Sequence, residues 1–436
     1  MARSSVDFAY RMLTSDDDGR VCKDIPESAC NEEPRNFLTH VASLAATKIA
    51  DGLIDPKLVL SWILTQVSAP AAIIGLLVPV REAGALLPQL FTAGALRALP
   101  LRKVAWVGGA MVQGLAALAI AISALTLEGL PAGIAIITAL AVLAIARSVC
   151  SVTYKDVLGK TVSKSRRGTA TGAATALAAG MVLLFGALLA SGLIARMTLV
   201  TAGLFVATIL WWVAAGMFAS LRESPGATEG GANPLTEARK NIALLLHDAQ
   251  LRRFIATRAL LVATALAPPF MVSLGSREPD GNAFGGLGLL VIASSLASLL
   301  SSYVWGRLAD RSSRWVLVLS AGAASLALAA TVALNSIGVL QSGWALPGVL
   351  FALMIAYQGV RLGRATHLVD MAGTDTRAAY TALSNTIIGL ILVFGSAFSL
   401  LAELYGEAVV LTVLAAMSAL AIPMALSLEE VQGRGE

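Results

Sequence analysis

Two stretches decide how this chain is read: GALRALPLRK at residues 94–103 and GRLADRSSR at residues 306–314. Each opens on Gly, keeps Leu and Ala in the middle, ends on clustered basic residues, and lies between long apolar runs. Aligning Gly94 with Gly306 gives an offset of 212. A second pair of landmarks gives nearly the same spacing: Arg147 is followed nine residues later by Asp156, and Arg361 nine residues later by Asp370, an offset of 214. Two unrelated landmarks sharing one spacing mark an internal duplication.

The repeated unit is helical and belongs in a membrane. Of 436 residues, 57% are hydrophobic and 14% charged, with a mean hydropathy of +0.77, whereas soluble domains are roughly 45–50% apolar and about 25% charged. That balance excludes a water-soluble fold and disorder, and 3 Cys cannot staple a chain of this size. Apolar runs, read against Pro, Gly and charge breakers, predict spans at 41–66, 70–94, 104–127, 131–154, 169–195 and 198–220, then at 254–275, 283–306, 315–337, 343–363, 378–402 and 408–427. The expected fold is therefore an all-α polytopic membrane protein, its twelve helices forming two six-helix bundles. The segments follow: an arm at 1–37, a first bundle at 38–221, a polar linker at 222–253 with a short amphipathic helix near Leu235 to His247, a second bundle at 254–427 and a tail at 428–436.

Basic residues give the orientation. Arg97, Arg102, Lys103, Lys160, Lys164, Arg166, Arg167, Arg222, Arg239, Lys240, Arg307, Arg311, Arg314, Arg364 and Arg377 all fall in even-numbered connections, whereas the opposite connections hold only Arg196 and Arg277. Positive charge collects on the cytoplasmic side, so the expectation is an inner-membrane protein with both ends cytoplasmic. This distribution also accounts for the basic balance without a nucleic-acid partner. Cys22 and Cys30, separated by seven residues in the arm, are expected to be ordinary thiols in a reducing compartment.

GRLADRSSR resembles the signature that the major facilitator superfamily carries between the second and third helices of a half, here in the second copy. YKDVLGKTVSKSRRGTATG at 154–172 is similar to that family's loop between helices four and five. The likeness spans the chain from about residue 38. It implies a secondary transporter in which Gly94, Arg102, Gly306, Asp310, Arg311 and Arg314 serve the moving scaffold. The first copy departs from the pattern, because Ala98 stands where the second has Asp310. The resemblance thus implies a latch in the second half only, with Asp310 and Arg311 or Arg314 set against the start of the helix near Arg377.

The repeat also places charges inside the bilayer. Mapping the seventh and eighth spans back by 212 puts Lys48, Asp51, Asp55, Lys57, Arg81 and Glu82 within the first two spans, with Arg81 about 16 Å from the outer end. Ionisable side chains at that depth cost about 2.5 kcal/mol or more, so they face a cavity and are paired or functional. Lys48, Asp51 and Asp55 follow i, i+3, i+7 spacing and so share a helix face. Arg81 maps onto Ala293, which concentrates the expected cavity polarity in the first half.

Lys48, Asp51, Asp55, Arg81, Glu82, Arg147, Tyr357 and Gln358 are the candidate substrate and proton pathway. A carboxylate would carry the proton, and Lys48 and Arg81 would suit an anionic group. Gln66, Gln113 and Asn385 are weaker candidates. No phosphate-cradling Gly motif is present, and the 3 His are scattered, so neither an enzyme activity, a cofactor nor a metal is expected. The expected partners are a small solute, protons and the bilayer, with the chain a monomer. Two other readings fit the same residues: a transporter-like sensor or assembly factor, and a lysophospholipid flippase.

Overall fold

The computed structural model describes residues 27–88, 99–225, 247–275, 286–340, 342–372 and 377–432, together with residues 10, 96 and 245. Helices account for all the regular structure among them. The first span consists of α1 (Glu27–Leu53) and α2 (Val59–Gln66). Pro56 disfavours helix at the residue before it, and the Asp55 carboxylate accepts the backbone N–H groups of Lys57 at 2.9 Å and Leu58 at 3.0 Å, so the break costs few orphaned donors. The second span is also broken, into α3 (Ala71–Ile74) and α4 (Leu77–Leu86), with Pro79 in the first turn of α4, where its missing N–H is not needed.

Unbroken helices complete the first half: α5 (Lys103–Thr126), α6 (Gly129–Thr161), α7 (Lys164–Ser191) and α8 (Arg196–Ala219). The seventh span pairs α9 (Ala249–Leu261) with α10 (Ala263–Gly275). Then come α11 (Gly286–Arg311), α12 (Ser313–Ser336) and α13 (Ala345–Met371). The eleventh span is α14 (Arg377–Gly395) followed by α15 (Ala397–Tyr405), and the twelfth is α16 (Glu407–Leu426).

Among the described residues nine helices are long and apolar enough to cross a bilayer. The other three of the twelve spans are the first two, which are broken, and the eighth, with a shorter apolar stretch at Gly286–Ser301. Several helices outrun their apolar cores. The seventh span begins at Ala249 rather than 254, because Asp248 caps it by accepting Leu251 N–H at 3.0 Å. The tenth runs to Met371 rather than 363. Hydropathy marks the apolar slab, but backbone hydrogen bonding carries the helix past it.

The two halves close on each other at the face opposite the termini. Here α7 and α11 touch backbone to backbone: a Cβ on Gly288 would stand 2.3 Å from Ala190 N and 2.7 Å from its Cα. Nearby, Ser61 donates to the Pro269 carbonyl at 3.2 Å, and Glu403 accepts Ala72 N–H at 3.1 Å.

At the terminal, basic face each half has its own brace. In the first, Glu223 accepts the N–H groups of Arg102 at 3.1 Å and Lys103 at 2.8 Å, which puts a carboxylate on the N-terminus of α5. Arg102 pairs with Asp156, and Lys160 links Asp156 at 2.9 Å to Glu223 at 3.1 Å. In the second, Glu430 accepts from Ser312 at 2.6 Å and lies 3.5 Å from Arg314, while Gln432 joins Ser313 N–H to Asp370. The first half is therefore braced despite Ala98. Gly94 and the side chains of Asp310 and Arg377 lie outside the described residues, so the expected latch falls there too; Gly306 sits in α11, and Arg311 is exposed.

Most of the linker, including the amphipathic helix expected near Leu235 to His247, also lies outside the described residues. The cysteine expectation is corrected. Cys30 is disulfide-bonded, and Cys150 is free and buried. Cys22 lies outside the described residues.

Candidate functional site

At the middle of the bundle Asp51 ties three spans together. One carboxylate oxygen accepts from Arg81 of the second span at 2.9 Å, and the other pairs with Arg147 of the fourth. Arg81 and Asp51 keep only 11% and 18% of their side-chain surface exposed, whereas Arg147 keeps 36%. Lys48 is half-buried and has Arg147, Asp51 and Arg361 as charged neighbours. Both Asp51 oxygens are thus engaged by arginines. The shared face expected for Lys48, Asp51 and Asp55 ends at Leu53, where the helix breaks. Asp55 holds the turn into α2 instead.

The break also swings Lys57 across the molecule. Its Nζ lies 3.6 Å from the centre of the Tyr357 ring, a cation–π contact between the first and tenth spans. Glu82 faces the same space, with Lys57, Arg81, Arg364 and Arg361 as its charged neighbours. Arg361 lies 5.9 Å from the Tyr357 ring and donates to Gln358 at 3.4 Å. All eight candidate pathway residues therefore gather around one central region.

Cavity polarity, expected to be concentrated in the first half, is drawn largely from the second. Glu82, Arg258, Tyr357, Arg361 and Arg364 line a single cavity of about 40 Å³, which has room for a few waters. Arg258, in the seventh span, is 6% exposed and donates to Ser384 and, at 3.2 Å, to Asn385 of the eleventh. Arg361 and Arg364 belong to it because α13 continues past both. The signal that could have found them was already in the repeat: an offset of 214 puts Arg361 at the depth of Arg147. Asn385 accepts from Arg258 of a neighbouring span, and Gln113 bonds Gly109 and Cys150, as lone amides in spans do.

Two six-helix halves closed around a charged central cavity make a multi-pass membrane fold. The fold is that of the major facilitator superfamily. Similar solved structures include a nucleoside transporter, NupG, at 14% identity, covering 90% of this chain and 98% of that one with a TM-score of 0.68. A D-xylose-proton symporter matches at 12% identity over 91% and 98%, with a TM-score of 0.68. A POT family transporter in complex with 5-aminolevulinic acid matches at 10% over 90% and 95%, with a TM-score of 0.67. No protein-family model and no curated protein matches the sequence.

Proposed function

We propose that this protein is a secondary transporter that moves a small, anion-bearing solute across the inner membrane by alternating access, coupled to protons, with both termini in the cytoplasm. The observation that carries it is the charged cavity between two halves that close at one face. In this fold a central site is reached from alternate sides as the halves rock. The halves here meet at the face away from the basic loops, which by the positive-inside rule is the outer one.

Asp51 is the coupling carboxylate. Protonating it removes the charge that holds Arg81 and Arg147, freeing two guanidinium groups on two spans for the solute. Asp55 is the weaker candidate because its oxygen is committed to the turn. A thermal-shift screen of small acids on the purified protein identifies solutes through the stabilisation that binding confers. In vesicles, Asp51→Asn should abolish pH-gradient-driven uptake yet permit exchange of solute for solute. Full pH-driven uptake by the Asp51→Asn, Asp55→Asn double variant would overturn the coupling assignment.

A further inference from the structure

The charges that face the cavity do not balance, and the excess belongs to one half. Among the described residues the one charged group that the first half sets in its lining is Glu82. The second contributes Arg258, Arg361 and Arg364, and no carboxylate of that half lines the cavity among the described residues. Arg258 is the sharpest case. It is buried, its two terminal nitrogens meet only neutral oxygens, Arg364 is a charged neighbour, and its buried Nε has no hydrogen-bond partner. Arg364 lines the same cavity, and among the described residues no hydrogen bond or ion pair engages its guanidinium. Like charges brought together in a low-dielectric site are costly unless an anion joins them.

We propose that Arg258 and Arg364, with Arg361 at the rim and Ser384 and Asn385 fixing the Arg258 fork, form a subsite for the oxyanion of the solute, a carboxylate or phosphate, and that Glu82 across the cavity is its built-in competitor. The proposal rests on the transport reading for its context but not for its test. An empty site leaves Glu82 as the one carboxylate among the described residues facing Arg361 and Arg364, and an arriving oxyanion takes over those cations. A planar guanidinium fork suits either oxyanion, so the anion series separates them.

The test is calorimetric binding of inorganic phosphate, acetate and succinate to the purified full-length protein, with xylose as an uncharged comparison. Wild type should bind at least one anion saturably and lose affinity as salt rises. Arg364→Gln, which breaks no bond of the resting structure, should weaken that binding about tenfold or more, the loss expected of a hydrogen bond to a charged group. Glu82→Gln should tighten it. No binding of any of the three anions, unchanged affinity in Arg364→Gln, or weaker binding in Glu82→Gln would each overturn the subsite. Flux in vesicles is read separately. Anion binding without flux of any solute would sink the transport reading and leave the subsite standing, whereas flux of an uncharged solute without anion binding would do the reverse.

Discussion

The halves share a helical fold but manage buried charge in opposite ways. In the first, Asp51 pairs with two arginines from two other spans. In the second, Arg258 is held by a hydroxyl and an amide, with no carboxylate in contact. A paired charge stabilises the fold once its desolvation is offset, whereas a cation that meets only dipoles keeps its charge available. The contrast suggests a division of labour: one half holds the resting state and the other waits for a ligand.

The comparison breaks most visibly at Asp51. Asp51→Ala strands two guanidinium groups, and breaking such a pair costs about 3–5 kcal/mol when fully buried. With Arg147 partly exposed, the loss should fall near the low end, about 3 kcal/mol, read as a lower Tm in detergent. Arg258→Met should be neutral or stabilising in the same assay, since it removes a buried cation that has no counter-charge. A large loss in both variants would erase the distinction between the halves.

A smaller effect is expected where the halves meet. Gly288→Val pushes a side chain into the Ala190 backbone, which cannot rotate away. It should open the outer face and bring the basic-face ends of the bundles together, as distances between spin labels on the two halves would show. Unchanged distances would mean that the contact does not hold the closed face.

The braces differ as well. Glu223 is fully buried under three partners, but Glu430 keeps 33% of its side chain exposed. Glu223→Gln should therefore cost about 1–3 kcal/mol and Glu430→Gln less than about 1 kcal/mol, both measured by denaturation. Equal losses would show the braces to be equivalent.

The smallest effect is at Asp248. Burial opposes its ionisation, but hydrogen bonds from Tyr380 at the side chain and from the Leu251 and Gln250 backbone outweigh it and hold the carboxyl below the usual range. Because the folded state favours the charged form, this contribution is complete above about pH 4 and fades as pH falls further. Tyr380→Phe should shrink that acid-side slope of Tm slightly and leave neutral pH nearly unaffected.

Fold and site were legible to different depths. Duplication, twelve spans and the deep position of Arg81 follow from repeat spacing and hydropathy, since both report one-dimensional order. The partner of Asp51 did not, because Lys48 and Arg81 both have the right charge and only the break at Ile54 to Leu58 decides which helix face survives. Arg364 was read as a loop residue because apolar windows end where charges begin, and a cavity-lining helix carries charges well inside the membrane. Arg258 was passed over because a single arginine near a predicted helix start looks like an orienting charge.

Lys57 on Tyr357 has one further consequence. Ion pairs between the halves would lock a single register, since a carboxylate and a guanidinium attract most strongly in one alignment. An ammonium resting on a ring face tolerates sliding and tilt, so this contact can serve as a bearing on which one half rolls over the other. Because its ring is neutral, the bearing consumes no carboxylate and leaves the field inside the cavity undiminished.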